Sequence, residues 1–341
     1  MSIFLIISTI VLLYLIILFC ELFTNAIEHL GNYFKIQDGA LGRVFAAIGT
    51  AFPETILPLI AVIGAYVTGV DINIGKEIGK GAVLGSPFML STIAFFLVGL
   101  SICIISLFKK RKTKLVIDTK LFHRDLKFFT IAYSIGVLTV LIPSSLIQKF
   151  IGIFLIGFYI FYAIRTVKKL CCTDNFCENK CEELFLMKKI KLSEQHRKTI
   201  IFLQLFIAVL GVILSAHYFV ENIKEISNII GIMPMIISLF LAPVATELPE
   251  IINGMVWSAK NKDTLAISNI TGAMVFQACI PMAIGIIFTY WRFSYLEIVN
   301  VLSVYLALII LYISTIKNNL NAKLLLLCII PYIFYIVMMQ I

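Results

Sequence analysis

Two short stretches carry the residues most able to do chemistry: Thr50-Ala51-Phe52-Pro53-Glu54 and Thr246-Glu247-Leu248-Pro249-Glu250. Each sets a carboxylate directly after a proline inside a long apolar segment, where hydrocarbon offers no water to solvate the charge. Proline donates no backbone hydrogen bond, and its ring displaces the carbonyl four residues earlier, here Gly49 and Ala245. A helix should kink or unwind at both places. Freed carbonyls, the hydroxyls of Thr50 and Thr246, and the carboxylates of Glu54 and Glu250 would then converge. That is an all-oxygen environment suited to a hard cation.

Positioning two such groups requires long apolar elements, and the chain supplies little else. Its 341 residues are 60% hydrophobic and 14% charged, with a mean hydropathy of +1.01. This is an all-α polytopic membrane protein. Apolar runs of spanning length lie near 2–24, 42–68, 79–107, 126–145, 147–167, 199–220, 231–257, 264–289, 294–315 and 321–340, predicting ten transmembrane helices. The run from Ile3 to Phe19 lacks a basic leader and a small-residue cleavage site before Glu21, so it reads as the first span and not as a signal peptide.

The net charge of +9 does not indicate nucleic acid, because the basic residues cluster in the connections between spans. The connection from Lys109 to Lys127 holds Lys109, Lys110, Arg111, Lys112, Lys114, Lys120, Arg124 and Lys127 against Asp118 and Asp125. It is expected on the cytoplasmic face, and counting spans outward puts the basic 165–198 connection there too. Both termini then lie on the outer face, in a plasma membrane. The weaker connections at Lys35/Arg43, Lys260/Lys262 and Lys317/Lys323 fall inside. Cys171, Cys172, Cys177 and Cys181 share one polar loop whose spacing fits no paired-Cys metal pattern; reduced thiols are the expectation in that compartment.

The chain divides into a first five-helix repeat (1–167), a polar loop (168–198) and a second five-helix repeat (199–341). Aligning the two Pro-Glu stretches also brings Phe23 onto Phe219, Ile27 onto Ile223, Asn32 onto Asn228, Ile36 onto Ile232 and Ile56 onto Ile252. One helix later, after a small shift, Gly85 meets Gly272. Five is odd, so the second repeat must enter the membrane the other way round. Such inverted-topology repeats place their sites near the midplane between the halves.

The helices that follow carry Gly79, Gly81, Ala82, Gly85 and Ser86 in one half, and Ser268, Gly272 and Ala273 in the other, which lets backbones approach closely. Beside that seam, Ser86, Ser91, Asn269 and Gln277 either complete an ion's coordination or bond between helices. Glu21, Asn25, Glu28 and His29 follow the first span, as His217, Glu221, Asn222 and Lys224 follow the sixth, and read as helix-end polar groups. No phosphate loop, nucleotide motif or nucleophile triad is present, and no enzyme is indicated.

The paired Thr-x-x-Pro-Glu motifs, each followed about thirty residues later by a Gly-Ser or Gly-Ala helix, resemble the alpha repeats of the sodium/calcium exchanger (cation/calcium exchanger) superfamily. The resemblance covers nearly the whole chain. It implies a secondary active antiporter moving calcium against sodium by alternating access, without a cofactor, whose partners are the lipid bilayer and inorganic cations. It also implies that Glu54 and Glu250 coordinate the metal ion, with Thr50 and Thr246 in the same site.

Departures from the family pattern matter. Where a second hydroxyl or small polar residue commonly follows the Thr, this chain has Ala51 and Glu247. Where the family places Asn or Asp, it has Leu90 and Gln277. Ser86 keeps the family hydroxyl and Ala273 loses it. Glu247 lies three residues from Glu250, on a similar helical face only if the helix is intact there, and its place in the pocket or at its mouth stays open. Ion-binding candidates are therefore Glu54, Glu250, Thr50, Thr246, Ser86, Gln277 and Glu247. So many carboxylates require cations or protons to neutralise them, which suits an antiporter. Two other readings stay open: coupling to protons or a monovalent cation through the altered site, and a scaffold or sensor that keeps the fold without transport.

Overall fold

The computed structural model describes residues 3–33, 54–63, 72–108, 111–170, 194–315 and 320–340. They form ten helical segments. In the first half these are α1 (Ile3–Tyr33), α2 (Glu54–Ile63), α3 (Ile72–Phe108), α4 (Thr119–Leu138) and α5 (Ser145–Leu170). In the second half they are α6 (Glu194–Ile230), α7 (Pro234–Ala259), α8 (Asp263–Phe288), α9 (Tyr295–Thr315) and α10 (Ala322–Met339). Among the described residues there is no strand, only an isolated antiparallel bridge between Lys114 and Asn321.

Seven of the helices are long and apolar enough to cross a membrane, and the bent α7 makes an eighth if its two parts form one span. The ten expected spans thus include two that composition and length alone do not certify. Of the span at 42–68, the described helix is the short α2. The other, α4, begins seven residues before the expected 126, because Asp118 caps it: its carboxylate accepts from the backbone N–H of Lys120 and Leu121 at 3.0 and 3.1 Å. The apolar run starts only where the charges stop, but the helix starts at its cap. Likewise α1 and α6 continue well past the expected ends, so Glu21, Asn25 and His29, and their counterparts from His217 to Lys224, lie inside helices and not after them.

Two equivalent pairs from the two halves, α1 with α6 and α3 with α8, run antiparallel. Near the start of α1, Ser8 Oγ and Thr9 Oγ1 accept from Asn222 Nδ2 of α6 at 2.6 and 3.1 Å. Near the other end, Gln204 Nε2 of α6 donates to Leu22 O and Asn25 Oδ1 of α1 at 3.0 and 2.9 Å. Early α3 meets late α8 where Val83 approaches Gly285, and late α3 meets early α8 where Val98 and Ile270 flank Gly254. The cross-packing is reciprocal: α8 packs on α4 and α5, and α3 packs on α9 and α10. These are two inverted five-helix repeats.

Small residues bring α3 onto α7. A Cβ at Gly81 would stand 2.2 Å from the Met235 carbonyl oxygen, and one at Gly85 2.2 Å from that of Leu239. Nothing larger than hydrogen fits, so the backbones touch. At one face the α3–α4 connection is tied to two others. Leu115 N–H donates to Leu320 O and Ala322 N–H to Thr113 O, both at 2.9 Å, while Arg111 pairs with Asp263. At the opposite face Lys80 pairs with Glu297 and donates to Arg292 O at 3.1 Å. The basic connections that the charge pattern assigns to one side of the membrane, those near 111–118, 260–263 and 320–323, do meet on one face.

Candidate cation site between the repeats

Glu54 opens the described part of α2, while Glu247 and Glu250 flank the 49° bend that divides α7 into Pro234–Leu248 and Glu250–Ala259. The bend falls at Pro249, where the helix ladder lacks a donor. Three residues apart on this turn, both α7 carboxylates face the same way. One oxygen from each of Glu54, Glu247 and Glu250 lies within 4.8 Å of the others, and all three residues are buried. Glu247, which the sequence left between pocket and mouth, is fully buried inside the cluster.

The three carboxylates are not equivalent. Glu247 is held by the protein: Thr246 Oγ1 donates to Oε1 at 3.0 Å, and Gln277 Nε2 of α8 donates to Oε2 at 2.6 Å. Ser86 of α3 is buried beside it. By contrast both oxygens of Glu54, Oε2 of Glu250 and Oε1 of Gln277 are buried without a hydrogen-bond partner. Carboxylate oxygens left so in a membrane interior are strongly destabilising unless a cation or proton joins them. The unpartnered atoms are all oxygens, the donor set of a hard cation.

The remaining candidates divide. Thr50, with Ala51 and Pro53, lies outside the described residues, as do Cys171, Cys172, Cys177 and Cys181. Thr246, Ser86 and Gln277 are buried around Glu247. Asn269 Nδ2 donates to the Glu250 carbonyl at 3.4 Å, a bond between helices. Ser91 does not reach the cluster: its hydroxyl and that of Thr92 both bond Phe88 O within α3, at 3.2 and 2.5 Å. There α3 widens to a π-helical turn over Leu90–Ala94, three residues after Pro87. Leu90 is fully buried and contributes no polar atom.

A second buried cluster escaped the sequence reading, which took Asp125 only as a loop charge. Asp125 of α4 accepts from Arg124 Nη2 at 2.9 Å, Tyr162 Oη of α5 at 2.9 Å and Thr271 Oγ1 of α8 at 3.0 Å, locking three helices together. A signal was present: Tyr-Ile-Phe-Tyr occurs at 159–162 in α5 and again at 332–335 in α10. It marks the repeat beyond the Pro-Glu stretches and points to Tyr162.

The comparisons with known proteins extend over this architecture. The sodium/calcium exchanger protein family model matches residues 4–168 and 200–340, most of both halves of the chain. An uncharacterized membrane protein of Methanocaldococcus jannaschii is 22% identical over 268 residues, 76% of this chain and 74% of its own. The H+/Ca2+ exchanger CAX superposes with a TM-score of 0.72 at 16% identity, covering 98% of this chain and 85% of that one. The sodium-calcium exchanger NCX_Mj gives 0.56 at 19% identity, over 100% and 99%. The two solved structures share the fold. With both halves matched by one family model, the chain belongs to the sodium/calcium exchanger family, and is an integral membrane transport protein and not an enzyme.

Proposed function

We propose that this protein is a secondary active antiporter that moves calcium against sodium, binding both at Glu54 and Glu250 with Thr246, Gln277 and Glu247 around them and Thr50 and Ser86 completing the set. The observation that carries this reading is the group of three buried carboxylates within 4.8 Å, of which Glu54 has neither oxygen bonded. A dication answers the two unpartnered acids, while Glu247, already holding two protein donors, shapes the pocket as a fixed anion. Competition of two ion types for the same carboxylates is what couples their movements, since the empty, charged pocket resists burial.

Leu90 favours a second reading, in which protons are the counter-ion. Sodium needs several neutral or charged oxygens at once, and α3 offers none at Leu90. A proton needs one carboxylate oxygen. The experiment is calcium uptake into proteoliposomes driven either by a sodium gradient or by a pH gradient. Sodium-driven uptake, absent from a Glu54→Gln, Glu250→Gln double variant, supports the first reading. Uptake driven only by pH supports the second, and equal flux in wild type and double variant overturns both. If neither gradient moves calcium and no cation raises the melting temperature, the chain is a scaffold or sensor.

A further inference from the structure

Asp125 is a buried carboxylate that the cation site does not use. A charge inside a membrane bundle is costly and calls for a role. Asp125 is not itself a cation ligand, because protein donors take both of its oxygens. Oδ1 accepts from Arg124 Nε and Nη2 at 3.1 and 2.9 Å and from Tyr162 Oη at 2.9 Å, and Oδ2 accepts from Thr271 Oγ1 at 3.0 Å. The donors on Oδ1 belong to α4 and α5. Thr271 reaches Asp125 from α8, the helix that carries Gln277. The Thr271 hydroxyl has another acceptor on its own helix, Ser268 O, but at 3.4 Å.

Past its first turn, α8 bonds to other helices through three polar side chains among the described residues. Asn269 Nδ2 donates to Glu250 O at 3.4 Å and Gln277 Nε2 to Glu247 Oε2 at 2.6 Å, both on α7, while Thr271 donates to Asp125 on α4. At about 100° per residue, Thr271 is turned about 160° from Asn269 and about 120° from Gln277. The helix is therefore gripped from two sides, by α7 at the cation site and by α4 at Asp125. Apolar contacts fix no direction of rotation, whereas a hydrogen bond does. A turn of α8 by about 20° moves a Cβ by roughly 1 Å, and a hydrogen bond weakens steeply over such a distance. Asp125 can resist that turn because four donors hold its own carboxylate in place.

We propose that Asp125 is a positioning residue for the cation site: through Thr271 it sets the rotation of α8 and so holds Gln277 against Glu247. The role in ion binding rests on the reading of the carboxylate cluster as a calcium site, and the test keeps the two apart.

The test is a double-mutant cycle between Thr271 and Gln277 on the purified full chain in neutral detergent. It has two readouts, melting temperature in cation-free buffer and calcium affinity by isothermal titration. Thr271→Val keeps the shape of the side chain and removes its hydroxyl. It weakens calcium binding about 10-fold, the lower end of what partners beyond the ligands contribute, and Thr271→Ser restores it. In the Gln277→Leu background, Thr271→Val costs no further calcium affinity and lowers the melting temperature less than it does in wild type. Tyr162→Phe loosens Asp125 without touching α8, so it weakens calcium binding by a smaller factor. It takes the place of Thr271→Val in the cycle should that variant not fold. Tyr335→Phe, whose hydroxyl has no bond to lose, leaves calcium affinity unchanged. Unchanged calcium affinity in Thr271→Val, an equal loss in Tyr335→Phe, or independent effects of the two substitutions on melting temperature would each overturn the positioning role. Absence of calcium binding by the wild type overturns the reading of the site instead, and the cation-free cycle still decides whether Thr271 holds Gln277.

Discussion

Leu90 of α3 and Gln277 of α8 occupy equivalent turns of the two repeats, both fully buried, yet one offers a hydrocarbon and the other an amide bonded to Glu247 at 2.6 Å. The same imbalance holds one helix earlier, where Ala51 answers Glu247. The scaffold is duplicated and inverted, but among the described residues most of the buried polar groups gathered around the three carboxylates come from the second repeat. From the first, the described residues give Glu54 and Ser86. Duplicated backbones are held by packing, which many apolar side chains satisfy, so the fold survives loss of symmetry. The oxygen set around an ion is decided by single residues, so it does not.

That contrast can be broken in graded steps. Losing both open carboxylates in the Glu54→Gln, Glu250→Gln variant should cut calcium flux by more than ~100-fold, since outer-shell partners alone are worth about 10–100-fold in metal affinity. Glu247→Gln should fall within that outer-shell range if its charge acts from a fixed position; a loss as deep as the double variant's would make it a direct ligand. Gln277→Leu copies the first repeat into the second and strands Glu247 Oε2. A hydrogen bond to a charged group is worth about 1.5–3 kcal/mol, so calcium affinity measured by isothermal titration should fall on the order of 10-fold or more. Leu90→Gln copies the second repeat into the first. It should lower the melting temperature in cation-free buffer, because a buried amide without partners costs roughly 1–3 kcal/mol, and sodium should restore it if the new oxygen joins the site. Gly85→Ala is the control for the scaffold: its methyl would strike the Leu239 carbonyl, so stability should drop by about 1–3 kcal/mol whatever cation is present.

A smaller version of the same contrast separates the two Tyr-Ile-Phe-Tyr helices. The buried positions Phe122, Asp125, Leu126, Phe129 and Ala132 of α4 recur in α9 as Glu297, Asn300, Val301, Val304 and Ala307. Asp125 bonds Tyr162, but its counterpart Asn300 and the counterpart tyrosine, Tyr335, are buried with their polar side-chain atoms unbonded. The second repeat is tied at this level by Lys80 and Glu297 instead. Tyr162→Phe should therefore destabilise the protein by about 0.5–1.5 kcal/mol, and Tyr335→Phe by nothing measurable in a thermal melt. Equal losses would show that Tyr335 is bonded as its partner is.

Much of this was readable from residue order. Hydrocarbon selects runs of apolar residues long enough to cross it, so the spans and the membrane class follow from composition. Two prolines before two glutamates located the central pair. What failed were helix ends, because Asp118 begins α4 by a local hydrogen bond that a hydropathy window does not register. Asp125 failed for a related reason, since a charge in sequence looks the same whether it faces water or three helices.

The sequence by itself determined the membrane class, the inverted duplication and the glutamates at its centre, because these rest on periodicity and on the cost of charge in hydrocarbon. Only the tertiary structure decided that Glu247 lies inside the cluster, that Gln277 and Thr246 hold it while Glu54 stays unbonded, and that Ser91 turns back on its own helix. Those outcomes depend on the bend at Pro249 and the π turn after Pro87, which set the direction of each side chain by a fraction of a helical turn. A linear pattern carries the residue types, but not that rotation.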